Sequence, residues 1–178
     1  EIQAEKKIAE ALQSKESNFS LWSAGLKEVP ESLERLTWLQ SLNLSNNKIK
    51  SIPFLLNKLT KLQWLDVSGN LLETLPDFWG SLPDIQVLNF HHNNISSLPQ
   101  SIGKNKQLTW LDLSANKLVE IPETFADLTQ LQELNLSYNQ IEILNEWLGN
   151  LNKLKELNVS QNQLTKLPKT IGNLTKLE

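Results

Sequence analysis

Residues 108–130 read LTWLDLSANKLVEIPETFADLTQ. Leu111 and Leu113 alternate with Asp112, the period of a strand with one face to a core and one to water. Asn116 follows, then Leu118 and Ile121. Pro122 then fixes φ and withholds a donor, so the strand direction ends and a descending arm begins. Phe125 and Leu128 supply a second apolar set on that arm. The register recurs at Leu39, Leu62, Ile85, Leu131 and Leu154, always at a step of 23 residues. Residues 62–70, LQWLDVSGN, and 108–116, LTWLDLSAN, are two copies of one segment.

A strand this short cannot bury its apolar face alone. Stacking consecutive units does so: each coil's leucines cover those of the next, and the strands line up as a parallel sheet. Unit 16–38 is degenerate, with Glu16 at the first leucine and Ala24 at the asparagine. Seven full units occupy 16–176, and an eighth begins and stops at 177–178. Residues 1–15 differ. Ile8, Ala11 and Leu12 fall at helical spacing among Glu, Lys and Gln, which predicts an N-terminal helical cap over the first coil.

The pattern L-x-x-L-x-L-x-x-N-x-L-x-x-L-P-x-x-L-x-x-L resembles the leucine-rich repeat in its 23-residue intracellular form, over about nine-tenths of the chain. The resemblance implies an α/β repeat: a right-handed leucine-rich-repeat solenoid with a concave parallel β-sheet and an N-terminal capping helix. Units of this L-P type are shared by Ras-pathway scaffolds, Scribble-type polarity proteins and bacterial Roco proteins. In the last of these the repeats precede a Ras-like GTPase domain. The entry segment AEKKIAEALQSKESNFSLWSAGLKEVPESL, residues 4–33, looks most like the Roco type.

Six asparagines, Asn47, Asn70, Asn93, Asn116, Asn139 and Asn162, follow the strands. Each is expected to turn inward and satisfy backbone groups that the turn leaves unpaired. Two departures from the pattern carry their own expectations. Asn105 replaces a buried leucine and predicts a loosened outer face. Asn145 replaces proline, which permits a more helical return over EILNEWLGNL, residues 142–151. Past the last full unit no cap is visible, and Leu157, Val159, Leu164 and Leu167 are expected near an uncovered end. That end points to a fragment of a longer protein, or to self-association through Leu164, Leu167 and Leu177.

Numbering each unit from its first leucine, positions 3, 5, 7 and 8 face outward from the concave sheet. Position 5 is uniformly polar: Ser20, Asn43, Asp66, Asn89, Asp112, Asn135 and Asn158. Position 3 reads Asn18, Ser41, Trp64, Val87, Trp110, Glu133 and Glu156. With strands ~4.8 Å apart, Trp64, Val87 and Trp110 form an apolar stripe ~10 Å long. Trp22, His91, His92 and Tyr138 lie in the columns beside it, and Asp66 and Asp112 rim it. An apolar patch with a polar rim is the composition of a protein-binding surface; cross-strand pairing of the rings over Val87 is the competing, purely structural account. Trp79, Phe90 and Phe125 take leucine positions and are expected in the core. Phe54, Phe78 and Trp147 sit beside such positions, and partial exposure there would make a second contact surface.

His91 lies near Ser68, Ser114, Asp66 and Asp112, the cast of a hydrolytic triad. Serine fills position 7 in five of seven units, however, and no Gly-rich elbow accompanies it. The pair His91–His92 lacks the convergent partners a metal needs. No phosphate-binding G-x-x-x-x-G-K-[ST] loop occurs, and no cofactor is expected. The chain carries 17 basic and 20 acidic residues, interspersed, for a net charge of −3. It therefore offers no footprint for nucleic acid or an anionic membrane. The lack of cysteine favours a reducing compartment, hence the cytoplasm. The expected function is non-catalytic protein–protein interaction on the concave face, in a signalling scaffold. The alternative is the repeat domain of a larger signalling enzyme such as a Roco-type GTPase, acting in regulation or self-association.

Overall fold

Leucines at positions 4 and 6 of each unit bury one side of a short strand, and the neighbouring units bury the rest. The computed structural model describes residues 2–178 and resolves this pattern into seven strands: β1 (Asn18–Ser20), β2 (Ser41–Asn43), β3 (Trp64–Asp66), β4 (Val87–Asn89), β5 (Trp110–Asp112), β6 (Glu133–Asn135) and β7 (Glu156–Asn158). They pair in parallel and in sequence order, β1 to β7, as one open sheet. Every pair keeps the same register, with Ser41 opposite Trp64, Trp64 opposite Val87, and Val87 opposite Trp110. The chain is a right-handed leucine-rich-repeat solenoid whose concave face is this sheet.

The return arms run as 3-10 turns. Pro30, Pro53, Pro99, Pro122 and Pro168 stand immediately before five of them, at φ between −74° and −59°. Asn145 adopts the same extended geometry, φ −76° and ψ 166°, and the turn after it, Glu146–Asn150, is five residues long like its neighbours. The more helical return expected there does not form. Stacking against the coils on either side dictates the arm's path and overrides local propensity.

The asparagine expectation holds with full geometry. Asn93 Nδ2 donates to the carbonyls of Val67 and Phe90, each at 3.1 Å, and its Oδ1 accepts from Leu72 N at 3.0 Å. Asn47, Asn70, Asn116, Asn139 and Asn162 repeat the arrangement. Asn105 does not loosen the outer face. It is 1% exposed, and its Nδ2 donates to the carbonyls of Trp79 at 2.8 Å and Leu82 at 3.1 Å. Its amide replaces leucine packing with two hydrogen bonds to the preceding arm, leaving Oδ1 without a partner.

Trp79, Phe90 and Phe125 are in the core as expected. Phe78 and Trp147, expected to be partly exposed, are 5% and 8% exposed. Their rings are enclosed by other aromatics: Phe78 stacks on Trp79 at 5.2 Å, and Trp147 meets Phe125 at 5.9 Å. Phe54 alone of the three stays exposed, set edge-on to Phe78 at 5.7 Å. Glycine lets neighbouring arms close up: a Cβ at Gly103 would collide with the backbone of Thr124.

At the N-terminal end, α1 (Ile2–Ser14) lays Ala4, Ile8 and Ala11 on the first coil, with Leu12 partly buried. Glu1 of the expected cap lies outside the described residues. Ser32 Oγ donates to Glu5 at 2.6 Å, and Lys15 Nζ stands 3.6 Å over the Trp38 ring. At the other end Leu157, Val159 and Leu164 are partly buried and Leu167 is exposed.

Candidate protein-interaction surface

Strands β1 to β6 each bury their middle residue and turn their outer two to the concave side. Trp64, Val87 and Trp110 are half-buried neighbours on β3, β4 and β5. With Asn89 they line an open depression of about 300 Å³. Their indoles are neither sunk in the core nor fully in water.

Beside this stripe runs a row of carboxylates and amides locked by short-range bonds. Asp66 Oδ1 accepts from Ser68 N at 2.8 Å, and its Oδ2 accepts from Asn89 Nδ2 at 3.2 Å. Asp112 repeats this with Ser114 N at 2.8 Å and Asn135 Nδ2 at 3.2 Å. Position 5 thus builds the turn in every coil: Asn43, Asn89, Asn135 and Asn158 each accept from the amide two residues on. The following row holds His91, whose Nδ1 lies 2.7 Å from Ser114 Oγ.

Ser114 Oγ also donates to Asp112. The order along this chain is histidine, serine, carboxylate. A hydrolytic triad needs the imidazole in the middle, taking the serine proton and leaning on the carboxylate. Here the hydroxyl's proton is committed to Asp112, so His91 cannot activate it in this arrangement. Among the described residues no group of three or more His, Asp or Glu is placed to hold a metal ion.

Position 8 passes through left-handed backbone in every coil: Ser23, Asn46, Gly69, His92, Ala115, Tyr138 and Gln161 have φ between 50° and 62°. His92 and Tyr138 are accordingly thrust outward from the turn, and both are exposed. Trp64, Asp66, Val87, His91, His92, Trp110 and Asp112 share one neighbourhood on β3–β5 and the turns after them, with Tyr138 one coil further on. Trp22 stands apart. It lines a separate depression of about 130 Å³ with Gln3 and Lys7 of the cap helix.

Beyond Trp110 the surface continues into a larger depression of about 470 Å³, where Asp112, Glu133, Glu156 and Glu178 contribute carboxylates. Glu133 and Glu156 were visible as members of column 3. Glu178 was not, because its column is set only when the eighth unit's first residues pair back onto the seventh, with Glu178 N donating to Lys155 O at 2.9 Å.

Known proteins agree with this architecture. Residues 77–178 match the family described as "Leucine-rich repeat region", and residues 37–78 match "Leucine Rich repeats (2 copies)". The chain belongs to the leucine-rich repeat family, whose fold is typically a non-catalytic scaffold for protein–protein interaction. A Leptospira interrogans LRR protein, LIC12759, is similar over 96% of this chain and 56% of its own, with 28% identity and a TM-score of 0.69. The LRR ectodomain of the Arabidopsis thaliana receptor kinase GASSHO1/SCHENGEN3, solved in complex with CASPARIAN STRIP INTEGRITY FACTOR 2, is 40% identical with a TM-score of 0.77. That match covers 84% of this chain and 19% of the ectodomain. Internalin InlF of Listeria monocytogenes is 26% identical, with a TM-score of 0.62 over 86% of this chain and 50% of its own. The chain thus spans about half or less of the length of these three structures. No curated protein sequence matches it significantly. Among the described residues no helix is long and apolar enough to cross a membrane.

Proposed function

We propose that the chain recognises a protein partner on its concave sheet, through Trp64, Val87 and Trp110, with Asp66, Asp112, His91, His92 and Tyr138 around them and Trp22 as an outlying contact. One observation carries the reading: two half-exposed indoles flank Val87 in an open depression, on a sheet whose other outward strand residues, at positions 3 and 5, are polar. Tyr138 supports it. It is 62% exposed at the turn after β6, an aromatic ring in water one coil beyond the indoles. A rigid sheet also loses little ordering entropy on binding. Affinity capture with the wild type and with Trp64→Ala plus Trp110→Ala tests the reading. Partners are expected to be lost from the double variant while its circular dichroism stays unchanged. Full retention of every partner overturns it.

A second reading keeps the same surface but sets it in a larger signalling enzyme of Roco type, where the repeats regulate or self-associate. The resemblance of the entry segment, residues 4–33, to the Roco type favours it. The gene sequence past Glu178 tests it: a phosphate-binding loop there supports it, and a second unrelated module removes it. A cytoplasmic setting belongs to this proposal as well, resting on the cysteine-free composition. Similarity to a receptor ectodomain names the competing compartment, and cell fractionation separates the two.

A further inference from the structure

We infer that the partner presents a basic segment, and that one of its arginine or lysine side chains lies between Trp64 and Trp110 over Val87. The inference rests on the concave-face reading and adds the chemistry of what is bound there.

Charge is sorted on this molecule. Positions 3, 5, 7 and 8 of the seven coils hold Asp66, Asp112, Glu133 and Glu156, and none of the chain's 17 lysines and arginines. Those cations sit on the cap, the turns and the return arms; the nearest by column is Lys155, at the entry of β7. The sheet face is therefore acidic on a protein whose overall charge is close to balanced, a distribution that steers cationic segments toward it.

Hydrogen-bond capacity points the same way. An ionised carboxylate offers about four acceptor sites. Asp66 uses two, for Ser68 N and Asn89 Nδ2. Asp112 uses three, for Ser114 N, Ser114 Oγ and Asn135 Nδ2. Both keep open acceptor sites, and Asn89, which donates to Asp66, lines the depression. A neutral apolar segment laid over the indoles would strip water from two carboxylates and give nothing back, which is the costly way to cover a charge. A guanidinium or ammonium supplies the missing donors, and bidentate contact makes arginine the better fit.

The spacing suits the same group. Trp64 and Trp110 occupy β3 and β5, one strand on either side of Val87. Parallel strands lie ~4.8 Å apart, so a side chain laid over Val87 has an indole on the strand to each side. Its aliphatic stem covers Val87 while the charged end turns toward Asp66 and Asp112.

The charge can be removed without touching the turn. Asn already fills position 5 in β2, β4, β6 and β7 and accepts the same amide bond there. Asp66→Asn plus Asp112→Asn is thus a substitution the repeat itself uses. Position 3 likewise carries Ser41 in β2, so Trp64→Ser plus Trp110→Ser respects the strand.

The probe is a random twelve-residue peptide library displayed on phage, panned against the wild-type chain and depleted on the Trp64→Ser, Trp110→Ser variant. Expected are peptides rich in arginine and lysine. Their affinity, read by fluorescence anisotropy, falls about tenfold or more in Asp66→Asn plus Asp112→Asn and falls again with added salt. If the tryptophan-dependent peptides show no basic enrichment, or bind the double asparagine variant unchanged, the basic-segment inference is overturned and the concave-face reading stands. If no peptide depends on the tryptophans, both fall together.

Discussion

Glu146 of the sixth coil accepts from the backbone of Thr170 in the seventh: Oε2 takes Thr170 N at 3.0 Å, and Oε1 takes Lys169 N at 3.3 Å. Thr170 Oγ1 returns a bond to the Glu146 carbonyl at 2.7 Å. The Thr170 amide above all holds the Glu146 carboxyl below its usual value of 4.5, with the Lys169 amide and charge adding to it. The carboxylate thereby supplies two acceptors to the start of the last return arm.

A depressed carboxyl stabilises the fold above the unfolded value and stops doing so as pH falls through the folded one. Glu146→Gln is therefore expected to lower the urea midpoint at pH 7. The gap to wild type should close as pH drops below about 4.5. Urea titrations of both proteins at pH 7 and pH 3 read this. An equal gap at both values shows that the bond carries no charge-assisted part.

Asn93→Ala removes two donors and an acceptor from buried groups of two coils. The loss is expected to be about 3 kcal/mol, from the cost of leaving such groups unpaired. Equilibrium unfolding of the variant checks it, and a change under about 1 kcal/mol would mean that water replaces the amide.

Asn105→Leu is expected to stabilise. The carbonyls of Trp79 and Leu82 keep their bonds from Leu82 N and Ile85 N, as the equivalent carbonyls do in other coils. The unpartnered Oδ1 disappears, and a leucine fills the place it fills in every other unit. The gain should be about 1–2 kcal/mol, visible as a higher melting temperature. A lower one would show that the two amide bonds outweigh the buried oxygen.

Gly103 and Gly172 share one repeat position, and the structure separates them. A Cβ at Gly103 meets the Thr124 backbone, whereas one at Gly172 meets nothing. Gly103→Ala should destabilise by about 2 kcal/mol. Gly172→Ala in the 178-residue chain should leave the melting temperature unchanged. Equal effects would place the cost in backbone freedom rather than contact.

The strand side of the repeat was legible because its signal is a strict alternation: Leu111 in, Asp112 out, Leu113 in, with Asn116 fixed three residues later. The same reading placed Trp64, Val87 and Trp110 side by side. The return arm has no such alternation. Position 16 holds exposed Phe54, and position 17 holds buried Phe78 and Trp147, a one-residue difference that brings these rings against Trp79 of the same coil and Phe125 of the preceding coil. Asn105 misled for a related reason. Its residue type signals water, but the carbonyls that take up its amide come from an arm 23 and 26 residues earlier. The polar order at His91 was also hidden, since columns give neighbours and not the direction in which a hydroxyl donates.

Every inward asparagine reaches backward. Asn47 serves Leu21 and Leu26 behind it, and Asn162 serves Leu136 and Ile141. No coil can meet its own needs; each is finished by its successor. On the ribosome, where residues emerge in order, the fold advances behind a moving, incomplete front, and every new loop seals the one that left the exit tunnel before it.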